Sequence, residues 1–441
     1  MKGTSCPETV STRLLKIAEL ARKAPEMVLL TLSHYIDETF LREAHRRTRK
    51  DGAPGVDGLR ADAYGVNLEE NLRTLLKRFK EGSYQAPPVR RGYVPKGKNS
   101  QRPIGIPTFE DKVLQRAVAM VLSAVYEEDF LDCSYGFRPG RSAHQALDAL
   151  WKTVMSMRGG FVIEVDISSY FDKISHHHMR AILDQRVRDG VLRKIIHKWL
   201  KAGVMEDGNI SYPESGSPQG GVVSPILSNV YLHEVMDKWF AEVVCPRLRG
   251  RANMVRYADD IVVACELRED AERIMEVLPK RFGKYGLSLH PDKTKMVDFR
   301  RPPLHASKGQ GSFDFLGFTH YWGKSRKGNW VVKRKTAKDR FNRSVSAINK
   351  TCREKRHDKV GTQHRELVAK MRGHFSYYGI TGNIGALSRF YLAVCYAWQK
   401  WLNRRSSGRH MPWERFMRLL MRYPLPRPRI VHSALCPSAN P

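Results

Sequence analysis

The sequence predicts an α+β fold, with an antiparallel sheet among helices followed by a strongly basic helical region. Three observations predict it. Short β-branched runs ending in acidic residues recur in the middle of the chain. Apolar residues at helical spacing occupy both ends. The composition changes near residue 323, after which 27 Lys and Arg stand against 5 Asp and Glu. Over all 441 residues, 76 Lys and Arg against 45 Asp and Glu leave a net charge of +31. Self-repulsion of that size calls for a polyanion, and nucleic acid is the natural one. No long apolar run or basic amphipathic anchor stands out, so no membrane partner is expected. Seven scattered cysteines, with no C-x-x-C pair and no Cys/His cluster, fit a reducing cytoplasmic compartment. The N-terminus lacks the apolar stretch of a signal peptide.

Two stretches place the sheet. Met254–Val255 and Ile261–Ala264 flank Tyr257-Ala258-Asp259-Asp260, which reads as two strands joined by a tight turn. Taken alone, a solvated turn would account for the paired carboxylates. The second stretch is the apolar run from Phe161 to Ile167, with Asp166 near its end and Ser168-Ser169-Tyr170-Phe171 after it. Carboxylates at two buried strand ends are costly without a partner. Divalent metal suits both. Asp166 and Asp259, with Asp260 in support, are the expected ligands of two Mg²⁺ ions, the arrangement that nucleotidyl transfer needs. Mn²⁺ would be the substitute.

On these residues the chain resembles reverse transcriptases, and in this form of the Asp-Asp hairpin the bacterial group II intron-encoded reverse transcriptase/maturases. Seven blocks similar to those of the family follow in order from about residue 50 to 320. The resemblance implies a right-hand polymerase with an antiparallel palm sheet. Its expected domains are an N-terminal helical extension and start of fingers over 1–90, fingers and palm over 91–322, and a helical thumb/maturase domain with a Pro/Arg tail over 323–441. It implies an RNA-directed DNA polymerase that uses an RNA template, a DNA primer and dNTPs. It also implies binding of group II intron RNA as a maturase, support of splicing, and insertion into target DNA by target-primed reverse transcription. Such a ribonucleoprotein would be cytoplasmic, and nucleoid-associated when acting on DNA. The H-N-H endonuclease domain of many relatives has no counterpart in these residues, so second-strand cleavage is not expected. The alternative is a host-domesticated enzyme of the same kind, serving phage defence or DNA repair without an intron. A homodimer is left open.

Taken in order, residues 1–48 read as two helices, over roughly 14–21 and 29–47. The glycine-punctuated residues 52–58 break the second. This segment resembles the family's N-terminal extension block, with Gly55 and Asp57 as turn-formers or ligands. A helix over about 68–80 precedes the Gly/Pro-rich hairpin of residues 90–107, which carries Lys96, Lys98 and Arg102. Such a hairpin can lay cations over a triphosphate. By resemblance, Arg102 first and Lys96 second grip the incoming nucleotide. An amphipathic helix over 111–126 follows. Arg138 and Arg141 then precede a helix that Ser142 can cap; they read as phosphate-backbone contacts or as structural ion-pair partners.

Beyond Asp166, the Ile167 carbonyl is an expected metal ligand. By resemblance, Phe171 is the aromatic gate against a ribonucleotide 2′-hydroxyl, with Tyr170 and Phe171 as core aromatics the alternative. His176-His177-His178 reads as a solvated turn at a helix start. Residues 203–211 read as a polar hairpin. The glycine-rich turn around Gly216 lets backbone approach a base pair closely, and Gln219 can bond near the nascent pair. A helix over 226–240 should back the sheet, and another is expected over 266–285. Lys293 best matches the family's lysine near the active site. Phe313 to Phe318 reads as the aromatic hairpin that supports the primer terminus, or as a domain junction. After residue 323, Lys333, Arg334 and Lys335 are expected to meet RNA or DNA backbone. Helices over 364–378 and 387–404 follow, the second with Leu387, Phe390, Tyr391, Val394, Cys395, Trp398, Trp401 and Leu402 on one packing stripe. Between them, residues 372–383 resemble the maturase-specific segment, and the tail at 424–432 should lie semi-extended on the surface.

Overall fold

A computed structural model describes residues 9–95, 101–206, 208–212, 216, 220–405 and 410–432. Among them the strands are β1 (Val89–Pro95), β2 (Gln101–Ile106), β3 (Phe161–Val165), β4 (Val204–Glu206), β5 (Asn209–Ser211), β6 (Ala252–Tyr257), β7 (Asp260–Cys265), β8 (Lys295–Asp298), β9 (Ser312–Phe315), β10 (Phe318–Lys324) and β11 (Trp330–Thr336). They form three sheets, ordered β2-β1-β4-β5, β6-β7-β3-β8 and β11-β10-β9. The mixed α+β character is as expected. No helix among the described residues is long and apolar enough to cross a membrane.

The chain divides into two compact units, residues 1–146 with 165–295, and residues 147–164 with 296–441. The division cuts across the boundaries expected at 90 and 322.

In the first unit, the Val10–Lys23 helix is capped by Thr9 and buries Val10, Ile17 and Ala21. The second helix is shorter than expected. Leu29 bridges to Val187, one 3-10 turn spans Ser33–Tyr35, and only Glu38–Arg47 is α-helical, capped by Asp37. The physical reason is Asp189. Its carboxylate caps its own helix and also accepts the N–H groups of Leu32 at 2.7 Å and Ser33 at 2.8 Å. Buried Arg186 binds both Asp129 oxygens through Nε and Nη2, one edge of its guanidinium, and donates to the carbonyls of Ala21, Ala24 and Met27. The N-terminal residues are therefore tied into this unit.

Gly55 is a close-approach glycine: a Cβ there would stand 2.6 Å from Thr108 backbone. Asp57 accepts the Leu59 N–H at 3.1 Å, which makes it a turn-former. The Leu68–Glu81 and Phe109–Tyr126 helices lie where periodicity put them, and Thr108 caps the second. Ser142 and Gln145 cap the next helix reciprocally, Gln145 N–H to Ser142 Oγ at 3.3 Å and Ser142 N–H to Gln145 Oε1 at 2.7 Å. The 203–211 hairpin forms as β4 and β5. The helix expected over 226–240 is α-helical only over Ser224–Leu232, and i→i+5 hydrogen bonding continues it over His233–Val244.

In the second unit, β9, β10 and β11 build an antiparallel sheet from the aromatic hairpin onward. Strand therefore persists to Thr336, and the helical region begins at Lys338, not at 323. Among the described residues four helices follow: Lys338–Glu354, Val360–Tyr378, Ile384–Leu402 and Trp413–Arg422. Leu387, Phe390, Val394, Cys395, Trp398 and Leu402 are buried in their shared core, as the stripe predicts. Wholly buried Asn383 accepts the Thr336 N–H at 2.9 Å and donates to the Tyr378 carbonyl at 2.8 Å, so it joins the sheet to the helices. The tail runs along Gly379, whose carbonyl accepts the Val431 N–H at 2.7 Å.

Candidate active site

β6 and β7 pair from Ala252↔Cys265 to Tyr257↔Asp260, which leaves Ala258 and Asp259 as a two-residue turn. Ala258 is left-handed, φ +57°, a conformation costing about 1–2 kcal/mol for a residue with a Cβ. Buried contacts hold it there. Arg256 donates to the Ala258 carbonyl at 3.1 Å, to Asn229 Oδ1 at 2.9 Å, and to both Asp237 oxygens at 2.7 and 2.5 Å. Asn229 in turn donates to the Gly136 carbonyl at 2.7 Å. A Cβ on Gly136 would stand 2.3 Å from the Ala258 nitrogen, so only glycine fits under the turn. Arg256 and Asp237 are both 0% exposed. Burial opposes each charge, yet their pairing outweighs it, holding the Asp237 carboxyl below and the Arg256 guanidinium above their ordinary ranges.

Asp166 leaves the C-terminal end of β3, which lies between β7 and β8 in its sheet. Its carbonyl accepts the His290 N–H at 2.8 Å and the Thr294 hydroxyl at 3.3 Å, and its own N–H donates back to that hydroxyl. Ile167 bridges Leu289 antiparallel, flanked by the bonds of Asp166 to His290 and of Ser168 to Ser288. In such a non-hydrogen-bonded pair, the Ile167 N–H and carbonyl point away from residues 288–290. Lys293 reaches the Asp166 carboxylate at 3.4 Å.

Tyr170, four residues after Asp166, is buried and donates to the Ser228 carbonyl at 2.9 Å. Burial raises its hydroxyl's pKa, and the Asp259 charge adds to the rise, so the hairpin tip and this segment share one neighbourhood. The two adjacent aromatics divide their roles: Tyr170 is core, while Phe171 remains half-buried at 5.2 Å from the Tyr170 ring. Gly216 seats on the same segment. Its N–H donates to the Ile174 carbonyl at 2.8 Å, and a Cβ there would stand 3.0 Å from the Phe171 carbonyl. The glycine at 220 approaches as closely, since a Cβ would stand 2.6 Å from the Gly105 carbonyl of β2. Gln115 accepts the Val222 N–H at 2.7 Å and donates to Asp111 at 2.9 Å. Arg102 stands exposed on β2 opposite Val94. Lys96, Lys98 and Gln219 lie outside the described residues.

Three expectations are corrected. Arg138 is no backbone contact: it is buried, pairs with Glu127 at 3.0 Å, and donates to the Leu131 and Ser134 carbonyls. Arg141, part exposed, pairs with the exposed Asp132 carboxylate at 2.5 Å. Arg334 is buried as well, because alternation along β11 turns it to the face of Trp330, Val332 and Thr336. Lys333 is half-buried and Lys335 exposed, its ammonium 4.9 Å from the Tyr321 ring. His176 is not solvated: its Nε2 lies 2.6 Å from the Gly216 carbonyl in a buried contact, while His177 alone of the three is exposed.

The residues that sequence reasoning missed are Arg256, Asp237, Asn229, Gly136 and Gln115. One signal was available. An arginine inside an apolar strand needs a buried counter-charge, although nothing local says which.

Among the described residues no group of three or more His, Cys, Asp and Glu side chains is placed to hold a metal ion. What is present is an open set of hard oxygen donors: the Asp166 and Asp259 carboxylates, each half-buried, exposed Asp260, and the outward Ile167 carbonyl. An open oxygen set suits Mg²⁺, which usually completes its shell with water and substrate phosphates. The residues fit the group.

A family model described as reverse transcriptase (RNA-dependent DNA polymerase) matches residues 94–320. The Escherichia coli K12 protein YkfC is 33% identical over 365 residues, covering 73% of this chain and 91% of that protein. The group II intron-encoded protein LtrA of Lactococcus lactis subsp. cremoris is 37% identical over 252 residues, 54% of this chain and 41% of LtrA. The mitochondrial nuclear intron maturase 2 of Arabidopsis thaliana is 28% identical over 231 residues, 44% of this chain and 30% of that protein. The chain thus spans less than half of the two intron-related proteins. With the match across the paired strand ends, the chain belongs to the reverse transcriptase (RNA-dependent DNA polymerase) family.

Proposed function

We propose that this chain is an RNA-directed DNA polymerase that extends a DNA primer on an RNA template from dNTPs. It also binds a group II intron RNA as a maturase, supporting splicing and insertion into target DNA by target-primed reverse transcription. One observation carries the polymerase reading. The left-handed tip at Ala258 is clamped by Arg256, Asn229 and Gly136 beside the segment that bears Asp166. A solvated turn would have no need of that clamp.

Asp166 and Asp259, with the Ile167 carbonyl and Asp260 in support, would hold two Mg²⁺ ions, which lower the primer hydroxyl's pKa and neutralise the triphosphate. Arg102 and Lys96 bind the triphosphate, Lys293 adds positive charge beside Asp166, and Gln219 bonds near the nascent pair. Phe171 excludes the 2′-hydroxyl by bulk. Replacing Phe171 with Ala is therefore expected to raise ribonucleotide incorporation relative to dNTP by about ten- to a hundredfold, the range that steric pocket contacts command. Single-nucleotide extension with matched dNTP and rNTP measures it; an unchanged ratio removes the gate.

Two facts support the maturase part: the 27-to-5 basic excess after residue 323 and the intron proteins among the relatives. Exposed cations there, Lys335 among them, are the proposed RNA contacts, with Lys333 beside them. The test is to purify the tagged protein from its native cell under mild conditions and sequence the bound RNA. One structured RNA whose ends flank this reading frame is the expected result. Diverse cellular RNA, or a separate noncoding RNA, would overturn the intron partner and leave the polymerase standing.

A further inference from the structure

Behind the segment that carries Phe171 lies a cleft of about 410 Å³, wholly within the first unit. Two helices and a turn shape it. The His176–Asp184 helix, capped by Ser175, presents His177 and Arg180. The Gly190–Leu200 helix ends there with His197 and Lys201 one turn apart. Lys173 enters from the preceding turn, its ammonium donating to Ser288 Oγ at 2.6 Å, and Gly286 closes the rim. Among the described residues no carboxylate lines the cleft.

The cations are close enough to repel one another. Burial lowers the pKa of His197, and the charges of Lys201 and Arg180 lower it further; His176 is lowered by burial and by the same two charges. The His197 Nδ1 is buried without a hydrogen-bond partner. Arg180, Lys201 and Lys173 stand round the concavity with His177 and His197, and an anion bound there would offset the repulsion among the charged groups. The capped start of the His176–Asp184 helix places the positive end of its dipole at the cleft, and the negative end of the Gly190–Leu200 helix lies beside Lys201.

We propose that this cleft is a phosphate-binding site, formed by Arg180, Lys201, Lys173, His177 and His197. Its two sources are a backbone phosphate of bound nucleic acid and free pyrophosphate. The first rests on the polymerase reading above and the second does not. Because His176 also touches the Gly216 carbonyl, an occupied cleft would stiffen the Gly216 turn beside Phe171.

The test compares the full chain with Arg180→Gln/Lys201→Gln, both at exposed positions. Arg268→Gln/Lys280→Gln on an outer helix serves as a charge-matched control, and unchanged thermal unfolding in chloride confirms folding. Calorimetric titration with pyrophosphate in EDTA at fixed ionic strength gives the first readout. Primer–template affinity against salt gives the second. Loss of a saturable pyrophosphate signal with the salt slope unchanged supports the free anion. A slope shallower by about one, the share of one neutralised phosphate, supports the nucleic-acid backbone. A cleft variant that matches wild type in both readouts overturns the site. Primer extension by Asp259→Asn tests the polymerase reading by itself, so that reading and the cleft can fail separately.

Discussion

Asp259→Asn is expected to abolish primer extension while the protein stays folded. The substitution keeps side-chain shape and removes one charge. Nothing that shapes the turn depends on that charge, since Arg256 holds the Ala258 carbonyl and Gly136 lies under the Ala258 nitrogen. The fold should therefore survive, with RNA affinity near that of wild type. Chemistry should not. Losing several kcal/mol of transition-state charge stabilisation corresponds to a rate lower by roughly a thousandfold or more. Asp260→Asn, at an exposed position beside the pair, should cost less. Single-turnover extension on a primed RNA template, with circular dichroism and filter binding as controls, measures this. An active, purified Asp259→Asn enzyme would refute the assignment.

The second large effect lies beneath the site. Arg256→Met leaves Asp237 buried without its cation, a loss of about 3–5 kcal/mol, and takes the donor from Asn229 and the Ala258 carbonyl. Stability and extension should fall together. Arg256→Met/Asp237→Leu then separates the two effects. Replacing a whole buried pair with apolar groups is often near neutral, so urea stability should largely return. Activity should stay low, because the left-handed Ala258 still lacks its clamp. A double variant that regains full activity would show that the pair serves stability alone.

pH gives an independent reading of the same pair. Burial alone would raise the Asp237 carboxyl, but Arg256 holds it below the ordinary value. A depressed carboxylate stabilises the fold above its unfolded pKa of about 3.9, and that contribution fades as pH falls through the lower folded value. The double variant should therefore lose less stability than wild type between about pH 4 and the acid limit. Asp111 works in the opposite sense. Burial pushes it up to about 6 despite its bonds to Trp199, Tyr84 and Gln115. Its contribution is full below about pH 3.9 and declines as pH rises through 6.

The elements that could be read locally were read well. The Asp-Asp hairpin, the β4–β5 hairpin and the Leu387-to-Leu402 stripe depend on periodicity and turn chemistry within a dozen or so residues. The misreadings share a different cause. His176 meets a carbonyl forty residues ahead, and Arg256 meets Asp237 nineteen residues back, which no local pattern reports. Lys333-Arg334-Lys335 looked like one basic contact, although strand alternation alone could have turned Arg334 inward. The helix over 29–47 broke because Asp189, more than 150 residues away, took its backbone donors.

By itself, then, the sequence determined the chemistry: two acidic strand ends, glycines where backbone must come close, and a cationic excess suited to nucleic acid. Those follow from residue type and short spacing. Only the tertiary structure decided which cations are buried in ion pairs or carbonyl bonds and which are exposed, because those partners lie outside the local pattern. Arg138 and Arg256 are buried beside Glu127 and Asp237, and Arg334 is buried on the inner face of β11, whereas Arg102 and Arg180 are exposed.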